Sequence, residues 1–283
     1  MRVAILGLGL IGGSIARALA TRRSNWPVRA WSPTGRGPAA AASSGEAHAA
    51  TTAGDAIVGA DLVVLAAPPL ACLDLLDELA GSLRNSLGAG AVVTDVASTK
   101  RRLVARASEL GLPFVGGHPM AGREAAGYDA ADPDLFVDRP WIVTTDGATR
   151  DGIERVEELA TAVGARPTRM DAATHDAAAA TISHLPLVLA AALASAAGRD
   201  PDGRWKDERR LAAGGWESMT RLARGDVEMG AGILATNADN VAVRLRAIRR
   251  ELDAWLEQLE GSADQAEIRT LLADARDILE PDR

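Results

Sequence analysis

The sequence predicts an α/β protein in which a doubly wound, Rossmann-type parallel sheet is followed by an all-helical domain. A glycine-rich motif stands between an apparent strand and a helix at the N-terminus, and apolar strands then alternate with helices as far as Met170. After Asp171 the sequence carries helical spacing and no strand pattern. We therefore expect one domain over residues 1–170 and a second over residues 171–283.

Composition and charge narrow the classes of partner. The 283 residues, 47% hydrophobic and 24% charged, have an ordinary globular balance and suffice for two domains or one large one. A formal net charge of −7 disfavours nucleic acid or an anionic membrane as the main partner. The single cysteine, Cys72, rules out an internal disulfide and suits a reducing cytoplasm. We expect no signal peptide, since no cationic segment precedes the first apolar run.

The first expected strand, Arg2–Leu6, runs directly into a G-x-G-x-x-G motif at residues 7–12. In this motif the first glycine makes a tight turn, the second lets a pyrophosphate approach and the third lets helix and strand pack closely. The helix that continues to Ala20 offers free N–H groups and its positive dipole end to phosphates. The motif therefore predicts dinucleotide binding by the first domain. The predicted contacts are Gly7, Gly9, Leu10, Ile11 and Gly12.

The second expected strand, Val28–Ser32, ends where the adenosine ribose would be recognised. NAD-selective sites usually carry an acidic residue about 20 residues after the glycines, but no Asp or Glu occurs here before Glu46. A carboxylate would repel a 2′-phosphate, whereas Ser32, Thr34 and Arg36 can bind one. The sequence therefore favours NADP over NAD as the cofactor, with a simply solvated Arg36 as the alternative.

Further strands and helices complete the expected first domain. The strands are Asp61–Ala67, Ala91–Val96, Trp141–Thr145 and Arg166–Met170, and the helices are Leu70–Leu79, one from Arg101, and Asp151–Val163. Ala67 and Pro68, at the end of one strand, are further predicted cofactor contacts. Ser98 is placed to cap the helix that begins near Arg101. The same position brings its hydroxyl to the sheet edge beside the expected nicotinamide, and the two roles are compatible.

One histidine is presented in an unusual way. A short buried strand, Pro113–Val115, leads through Gly116 and Gly117 to His118, and Pro119 biases His118 towards an extended backbone. The two glycines let backbone come close to a ligand. A side chain at the carboxyl end of a strand lies where such sheets bind ligands. His118 is therefore a candidate catalytic residue, and a histidine that merely caps a turn is the alternative.

The second domain is expected to be helical throughout. Asp171 can cap a long alanine-rich helix that Pro186 kinks. The uncharged segment Ala177–Ala197 is weakly apolar for a membrane span, so we expect it to be buried in a helical domain or a dimer. We therefore expect a homodimer. After a polar loop at 198–204, the expected helices are 209–224, 227–249, 251–260 and 264–279.

Several motifs in order now resemble the prephenate/arogenate (cyclohexadienyl) dehydrogenase family. They occupy residues 7–14 (GLGLIGGS), 95–100 (DVASTK), 117–122 (GHPMAG), 175–176 (HD), 183–186 (SHLP) and 219–223 (MTRLA). The resemblance implies NAD(P)-dependent oxidative decarboxylation of arogenate or prephenate in tyrosine biosynthesis. Ring carbon 4 loses a hydride to the nicotinamide, the 4-hydroxyl loses its proton, and the ring carboxylate leaves as CO₂. We expect no metal ion.

The resemblance also implies a role for individual residues. His118, as a neutral imidazole, would bond the 4-hydroxyl and assist its loss of a proton, and Ser98 would bond the same hydroxyl and His118. Arg221 would clamp the ring carboxylate with two hydrogen bonds, and a solvated arginine on a surface helix is the alternative. His184 would orient the site, or alternatively is a satisfied core histidine. The expected substrate-binding set is Arg221, His184, Gly122 and Glu124.

Some positions depart from the commonest prephenate dehydrogenase pattern. They are Arg123, Leu187, Ser218 and Gly230. Leu187, in place of a second histidine, and the Met229–Gly230 pair are similar to NADP-dependent arogenate enzymes. Leu187 and Ser218 equally fit a drifted or altered specificity. Two other functions stay open. An imine or β-hydroxyacid reductase generally uses a lysine or aspartate on the long helix, where this chain has His184, and a non-catalytic dinucleotide sensor would make His118 dispensable.

Overall fold

The computed structural model describes residues 1–199 and 202–280. Residues 200 and 201 of the expected polar loop, and 281–283 at the end of the expected second domain, lie outside the described residues. The chain forms two compact units, Met1–Ala238 and Asp239–Arg283. This division falls later than residue 170, so the expected domain boundary stays a prediction.

The first unit is built on a six-stranded sheet whose strands are all parallel. Its strands are β1 (Val3–Leu6), β2 (Val28–Trp31), β3 (His48–Ala49), β4 (Leu62–Leu65), β5 (Val92–Asp95) and β6 (Phe114–Val115). They lie in the order β3-β2-β1-β4-β5-β6, which confirms the predicted doubly wound sheet. The order reverses between β1 and β4, and ligands of such sheets bind in the crevice at that point.

Helices cover both faces of this sheet. They are α1 (Leu10–Arg22), α2 (Arg36–Ser43), α3 (Ala53–Ile57), α4 (Pro69–Ala80), α5 (Arg101–Glu109) and α6 (Arg150–Ala162). Neighbouring strand residues point to opposite faces, so Ile5 packs in the cluster that contains α1 and α6. Leu6 packs in the cluster that contains α3, α4 and α5. Burial on both faces explains why β1, β4 and β5 are buried along their whole length.

A second, three-stranded sheet was not expected. It consists of β7 (Gly117–Pro119), β8 (Pro140–Thr144) and β9 (Arg166–Met170), in that order. The segment that was expected to be a glycine turn is therefore the place where one sheet ends and the other begins. His118 lies opposite Ile142 in the antiparallel β7–β8 pair. A Cβ on Gly117 would lie 2.6 Å from the Asp95 carbonyl oxygen, so only glycine lets the chain pass here.

A buried ion pair joins the two sheets. Lys100 and Asp95 are both fully buried, and the Lys100 Nζ donates to an Asp95 carboxylate oxygen. The same ammonium donates to the Gly117 carbonyl at 2.7 Å, and the other Asp95 oxygen accepts the Gly117 N–H at 3.1 Å. Both polar groups of the Gly117 backbone are thereby held by one ion pair. This arrangement fixes the strand that carries His118.

The alanine-rich helix after residue 170 begins and bends as predicted. The Asp171 side chain accepts the Thr174 N–H at 2.8 Å and caps α7 (Ala172–Ala179). The chain then makes a π-helical turn at Ala180–His184, just before Pro186, and continues as α8 (Leu185–Gly198).

The helical run Ala172–Gly198 is long and apolar enough to cross a membrane, but a single such helix is weak evidence of a membrane span. Of α8, Ala190 alone is buried within one chain, so the expected burial of this helix in a dimer stays a prediction.

The remaining helices have different bounds from those expected. They are α9 (Trp205–Glu208), α10 (Gly214–Thr220) and α11 (Val227–Thr236) in the first unit, and α12 (Ala238–Glu260) and α13 (Gln265–Leu279). The expected helix 209–224 is broken before Gly214 and ends in a 3₁₀ turn, Arg221–Arg224. The chain breaks again at Asn237, and not near residue 250. The first break lies directly before two consecutive glycines that begin α10, and glycine is a poor helix former.

The ion pair yields a prediction about stability. Replacing Lys100→Met would leave the Asp95 carboxylate buried without its cation, so we expect the free energy of unfolding to fall by about 3–5 kcal/mol. Urea unfolding at neutral pH measures the change. The double variant Asp95→Asn, Lys100→Met is the control, because it removes both charges together and should lose less. A single variant as stable as the double one would contradict this account.

Candidate active site

The predicted catalytic histidine lies in a buried cluster of histidines. His118 is 9% exposed, and its Nδ1 lies 2.8 Å from the Nε2 of His175 on α7. The two rings meet edge to face, with centroids 5.1 Å apart and planes inclined at 76°. Because Nδ1 is engaged in this way, the remaining ring nitrogen, Nε2, is the one that can meet a ligand.

A carboxylate continues the chain of hydrogen bonds. The Nδ1 of His175 lies 2.8 Å from Oδ1 of Asp176, which is fully buried. The same carboxylate accepts the backbone N–H groups of Lys100 at 2.7 Å and Arg101 at 3.0 Å. It therefore caps α5 from a distant part of the chain. The expected cap, Ser98, was wrong, because Lys100 occupies the N-cap position and its side chain makes no capping bond.

Burial and neighbouring titratable groups determine the charge of the cluster. Burial is the largest cause that lowers the pKa of His118 well below 6.5, and His175, Lys100 and His184 add to it. Burial also acts to raise the pKa of Asp176, but hydrogen bonds from His175, Arg101 and Lys100 outweigh it and hold that pKa below its ordinary value. At neutral pH His118 is therefore an uncharged imidazole, and Asp176 is a carboxylate.

His184 has two ring nitrogens with different contacts. Its Nδ1 lies 3.1 Å from Nδ2 of Asn237, and that amide also donates to the Asp176 carbonyl at 2.8 Å. Its Nε2 is buried and makes no hydrogen bond of good geometry among the described residues, although the Ser98 carbonyl lies close enough to the ring to raise its pKa. Burial lowers its pKa to about 4, although Asp176 acts in the opposite direction. A neutral ring that accepts at Nδ1 carries its proton on Nε2.

Ser98 lies beside this cluster and is not bonded to His118. Its backbone carbonyl acts on the pKa of His184, which places the residue next to that ring, and it is partly exposed. Within residues 1–199 and 202–280 the Ser98 hydroxyl makes no hydrogen bond to His118, whose Nδ1 is bonded to His175 instead. The expected Ser98–His118 bond was therefore wrong, and the hydroxyl remains available to a ligand.

The expected substrate-binding arginine is held by an acid from the segment that follows β7. Nη1 of Arg221 donates to Oε1 of Glu124, and the two side chains are 57% and 30% exposed. Arg221 also lines an open surface cavity of about 430 Å³ together with Glu217, Ser218 and Arg224. Gly122 is exposed, and a Cβ there would meet nothing within 4 Å. The structure thus brings together Arg221 and Glu124, two members of the expected set.

The glycine motif is shaped to accept a pyrophosphate. A Cβ on Gly7 would lie 2.3 Å from the Ala66 carbonyl oxygen, and one on Gly12 would lie 2.1 Å from the Gly7 carbonyl oxygen. A Cβ on Gly9 would instead point into open space, at the N-terminus of α1, where no side chain caps the helix. Ala67 and Pro68 follow the adjacent strand β4. Leu10 is buried, and Ile11 is partly exposed. These features fit a dinucleotide with its phosphates on the α1 N-terminus.

The end of β2 is free of carboxylates. Ser32 is partly exposed, whereas Thr34 and Arg36 are exposed. A turn closed by the Gly35 N–H and the Ser32 carbonyl at 3.0 Å leads into α2, whose N-terminus has no side-chain cap. The first acid along the chain, Glu46, pairs with Arg17 at 3.3 Å. This end of the crevice can therefore accept a negatively charged group.

Comparison with known proteins agrees with this geometry. The family models described as the nucleotide-binding domain and the dimerization domain of prephenate dehydrogenase match residues 15–168 and 171–274, respectively. The chain belongs to the prephenate dehydrogenase family. A prephenate dehydrogenase of Bacillus subtilis is 32% identical over 261 residues, which cover 89% of this chain and 68% of the relative.

Two solved structures of the family are similar over nearly the whole chain. Prephenate dehydrogenase from A. aeolicus, in complex with hydroxyphenyl propionate and NAD+, has a TM-score of 0.88 and 25% identity, covering 100% of this chain and 99% of that one. Synechocystis arogenate dehydrogenase has a TM-score of 0.81 and 29% identity, covering 99% of each chain.

Membership of the prephenate dehydrogenase family establishes the reaction. The protein is an NAD(P)-dependent oxidoreductase that carries out oxidative decarboxylation of arogenate or prephenate in tyrosine biosynthesis. Family membership therefore decides against the two other functions that the sequence left open, an imine or β-hydroxyacid reductase and a non-catalytic dinucleotide sensor. The fold expected from the sequence, a Rossmann-type domain with a helical C-terminal domain, is confirmed by the same comparisons.

Three residues of this buried histidine cluster were not among the expected site residues. His175 and Asp176 were visible only as an adjacent pair within the family motifs, and Asn237 lies in the middle of an expected helix. His175 is 57 residues from His118 along the chain, so their contact depends on the tertiary fold. The sequence did offer one signal, which is the His175–Asp176 pair in an otherwise alanine-rich helix.

The glycine motif yields a paired prediction. Gly12→Ala places a Cβ against backbone, so we expect about 1–3 kcal/mol of lost stability. Gly9→Ala meets nothing in the protein, so we expect stability within about 0.5 kcal/mol of the unaltered chain and clearly weaker dinucleotide binding. Thermal unfolding and calorimetric titration with NADP and NAD separate the two effects. Unchanged affinity in Gly9→Ala would show that the pyrophosphate lies elsewhere.

Proposed function

We propose that His118 is the proton acceptor for the 4-hydroxyl of the cyclohexadienyl acid, through Nε2. The observation that carries this proposal is a buried, uncharged imidazole whose Nδ1 is held by His175. A base must be deprotonated at the working pH, and the low pKa of His118 meets that need. The partly exposed Ser98 hydroxyl and the neighbouring His184 ring lie in the same cluster and are proposed to orient the substrate.

We propose that the bound nicotinamide accepts the hydride that leaves ring carbon 4. The protein then has to position the ring, receive one proton and release one carboxylate as CO₂, since aromatisation supplies the driving force. His118 receives the proton at Nε2. The electron pair of the breaking carbon–carboxylate bond enters the ring and leaves the aromatic product as a phenolate. The phenolate takes a proton back from Nε2 of His118, which returns the imidazole to its neutral form.

Arg221 is proposed to hold the ring carboxylate. Its guanidinium pairs with the carboxylate of Glu124 while its side chain is 57% exposed, which supports access by a second oxygen acid. Glu124 lies six residues after His118 in sequence, so a carboxylate that shares or replaces this contact is close to the segment that bears the base. Gly122, exposed between them, is proposed to leave room for the substrate.

We further propose that the cofactor is NADP in preference to NAD. The support is the carboxylate-free end of β2, where Ser32, Thr34 and Arg36 precede or begin a helix with a free N-terminus. We also propose arogenate in preference to prephenate, because Leu187 replaces the second histidine and arogenate, with an ammonium on its side chain, makes no demand for it. This second preference rests on the resemblance of that position to arogenate enzymes.

The assembly is proposed to be a cytoplasmic homodimer. The exposed apolar face of α8 needs a cover that one chain does not supply, and a family model described as a dimerization domain matches residues 171–274. The thiol of Cys72 is buried, and burial raises its pKa to about 12, so it suits a reducing compartment.

The proposed function is tested by direct assay. Purified protein is mixed with arogenate or prephenate and with NADP or NAD, and the absorbance of the reduced nicotinamide is followed. We expect the highest kcat/KM for arogenate with NADP. Turnover that favours NAD would overturn the cofactor preference, and turnover that favours prephenate would overturn the substrate preference. No turnover with any of the four combinations would overturn the role of His118 as well.

Removal of the base gives a kinetic prediction. His118→Asn should lower kcat by roughly two to four orders of magnitude with little change in KM, because the variant binds substrate but lacks the proton acceptor. The matched control is His48→Asn, which alters an exposed histidine of β3. Steady-state kinetics on both variants decide the matter. Near-normal kcat in His118→Asn would refute the assignment.

The carboxylate clamp gives a different kinetic pattern. Arg221→Lys keeps the charge but loses the forked geometry, so KM should rise roughly tenfold to a hundredfold with a smaller effect on kcat, as for a lost charge-assisted hydrogen bond. Arg224→Lys, at a neighbouring arginine of the same cavity, is the control and should leave KM unchanged. A rise in KM confined to Arg224→Lys would transfer the clamp to that residue.

A further inference from the structure

We propose that His175 and Asp176 are positioning residues that fix the ring tautomer of His118, so that its Nε2 is a proton acceptor. The observation is an unbroken chain of hydrogen bonds. Asp176 Oδ1 lies 2.8 Å from His175 Nδ1, and His175 Nε2 lies 2.8 Å from His118 Nδ1. The inference deepens the proposed function and rests on the role of His118 as the base.

The direction of donation along these hydrogen bonds is set by the carboxylate of Asp176. The two oxygens of Asp176 receive the backbone N–H groups of Lys100 and Arg101, at 2.7 and 3.0 Å. Nε of Arg101 lies 3.6 Å from the same carboxylate. A protonated carboxyl would direct its own hydrogen at one of these donors, so Asp176 is ionised and only accepts. Its hydrogen bond with His175 therefore requires a hydrogen on the Nδ1 of His175.

If both imidazoles are neutral, the hydrogens along the chain can be placed in one way. A neutral imidazole carries a single N–H, so a hydrogen on Nδ1 of His175 leaves a lone pair on its Nε2. That lone pair requires a hydrogen on Nδ1 of His118, and the Nε2 of His118 is then unprotonated. The reversed order would make the Nε2 of His118 a donor, which can bond a hydroxyl but is unable to receive its proton.

The chain is held rigidly at both ends. Asp176 is fixed by the first turn of α5, and the Asn237 amide donates to its backbone carbonyl at 2.8 Å. His118 is fixed on β7 through Gly117, both of whose backbone polar groups are bound by Asp95 and Lys100. When His118 receives the substrate proton at Nε2, its Nδ1–H···Nε2 bond to His175 persists. The new positive charge then lies at the end of a chain that terminates in a carboxylate, which stabilises it.

Two variants of one residue separate tautomer control from packing. In His175→Gln the amide oxygen can accept from Nδ1 of His118 while the amide nitrogen donates to Asp176, which keeps the order of donors and acceptors. In His175→Phe the ring shape is kept and both hydrogen bonds are lost. We expect His175→Phe to lower kcat by roughly two to four orders of magnitude with KM nearly constant, as for a base in the wrong tautomer. We expect His175→Gln to stay within roughly tenfold of the unaltered kcat.

A spectroscopic readout tests the tautomer without any activity. Nitrogen-15 NMR distinguishes protonated from unprotonated ring nitrogens, and the protein has four histidines, at positions 48, 118, 175 and 184. His118→Asn assigns the His118 signals, and the exposed His48 serves as the solvent reference. In the unaltered protein at neutral pH we expect Nδ1 of His118 to be protonated and Nε2 to be unprotonated. In His175→Phe we expect a mixture of the two tautomers.

The outcomes keep this inference separate from the proposed function. A protonated Nε2 of His118 in the unaltered protein would overturn the inference whatever the variants do. Normal turnover in His175→Phe would overturn it as well, and so would a loss in His175→Gln as large as that in His175→Phe. Absence of turnover in the unaltered protein would overturn the proposed function, while the NMR result would still decide whether the chain sets the tautomer of His118.

Discussion

The buried carboxylate of Asp176 is the group on which most of the site depends. It closes the N-terminus of α5 through two backbone N–H groups, and it is also bonded to His175. Capping of this kind is usually supplied by a residue next to the helix, but here α7 supplies it from 76 residues further along the chain. Helix capping and orientation of the histidines are therefore one constraint, and neither is satisfied without the other.

Lys100 provides the second constraint, because its single charge acts on both the Gly117 backbone and His118, the proposed base. Its ammonium binds Asp95 and the Gly117 carbonyl, which fixes the strand that carries His118. The same charge contributes to lowering the pKa of His118, after burial and His175. A cation that holds the backbone in place therefore also keeps the nearby imidazole neutral. Proton acceptance needs that neutral form, so the electrostatics and the geometry of the cluster support the same chemistry.

The parts of the fold that were predictable are those in which local pattern and tertiary structure agree. Strands β1, β4 and β5 are continuous apolar runs because they are buried on both faces, and the glycine motif follows β1 directly. The region of α2, β3 and α3 was missed, since its many alanines give no clear periodicity. The break at Asn237 was missed for another reason. That side chain is fully buried and bonded to His184 and Asp176, a tertiary demand that ends α11 within a sequence of helical spacing.

The site was predictable in its residues more than in its connections. His118 and Arg221 stand in family motifs, yet nothing in the sequence pairs His118 with His175 or Arg221 with Glu124. The ion pair between Arg221 and Glu124 bears on whether the arginine can also bind a substrate carboxylate. A guanidinium has five N–H donors, and Glu124 engages it through Nη1. Under the proposed function the remaining donors suffice for a second, bidentate carboxylate. Under that proposal Glu124 would orient the arginine and lower the entropy lost when a substrate carboxylate binds, so the ion pair and the proposed clamp are compatible.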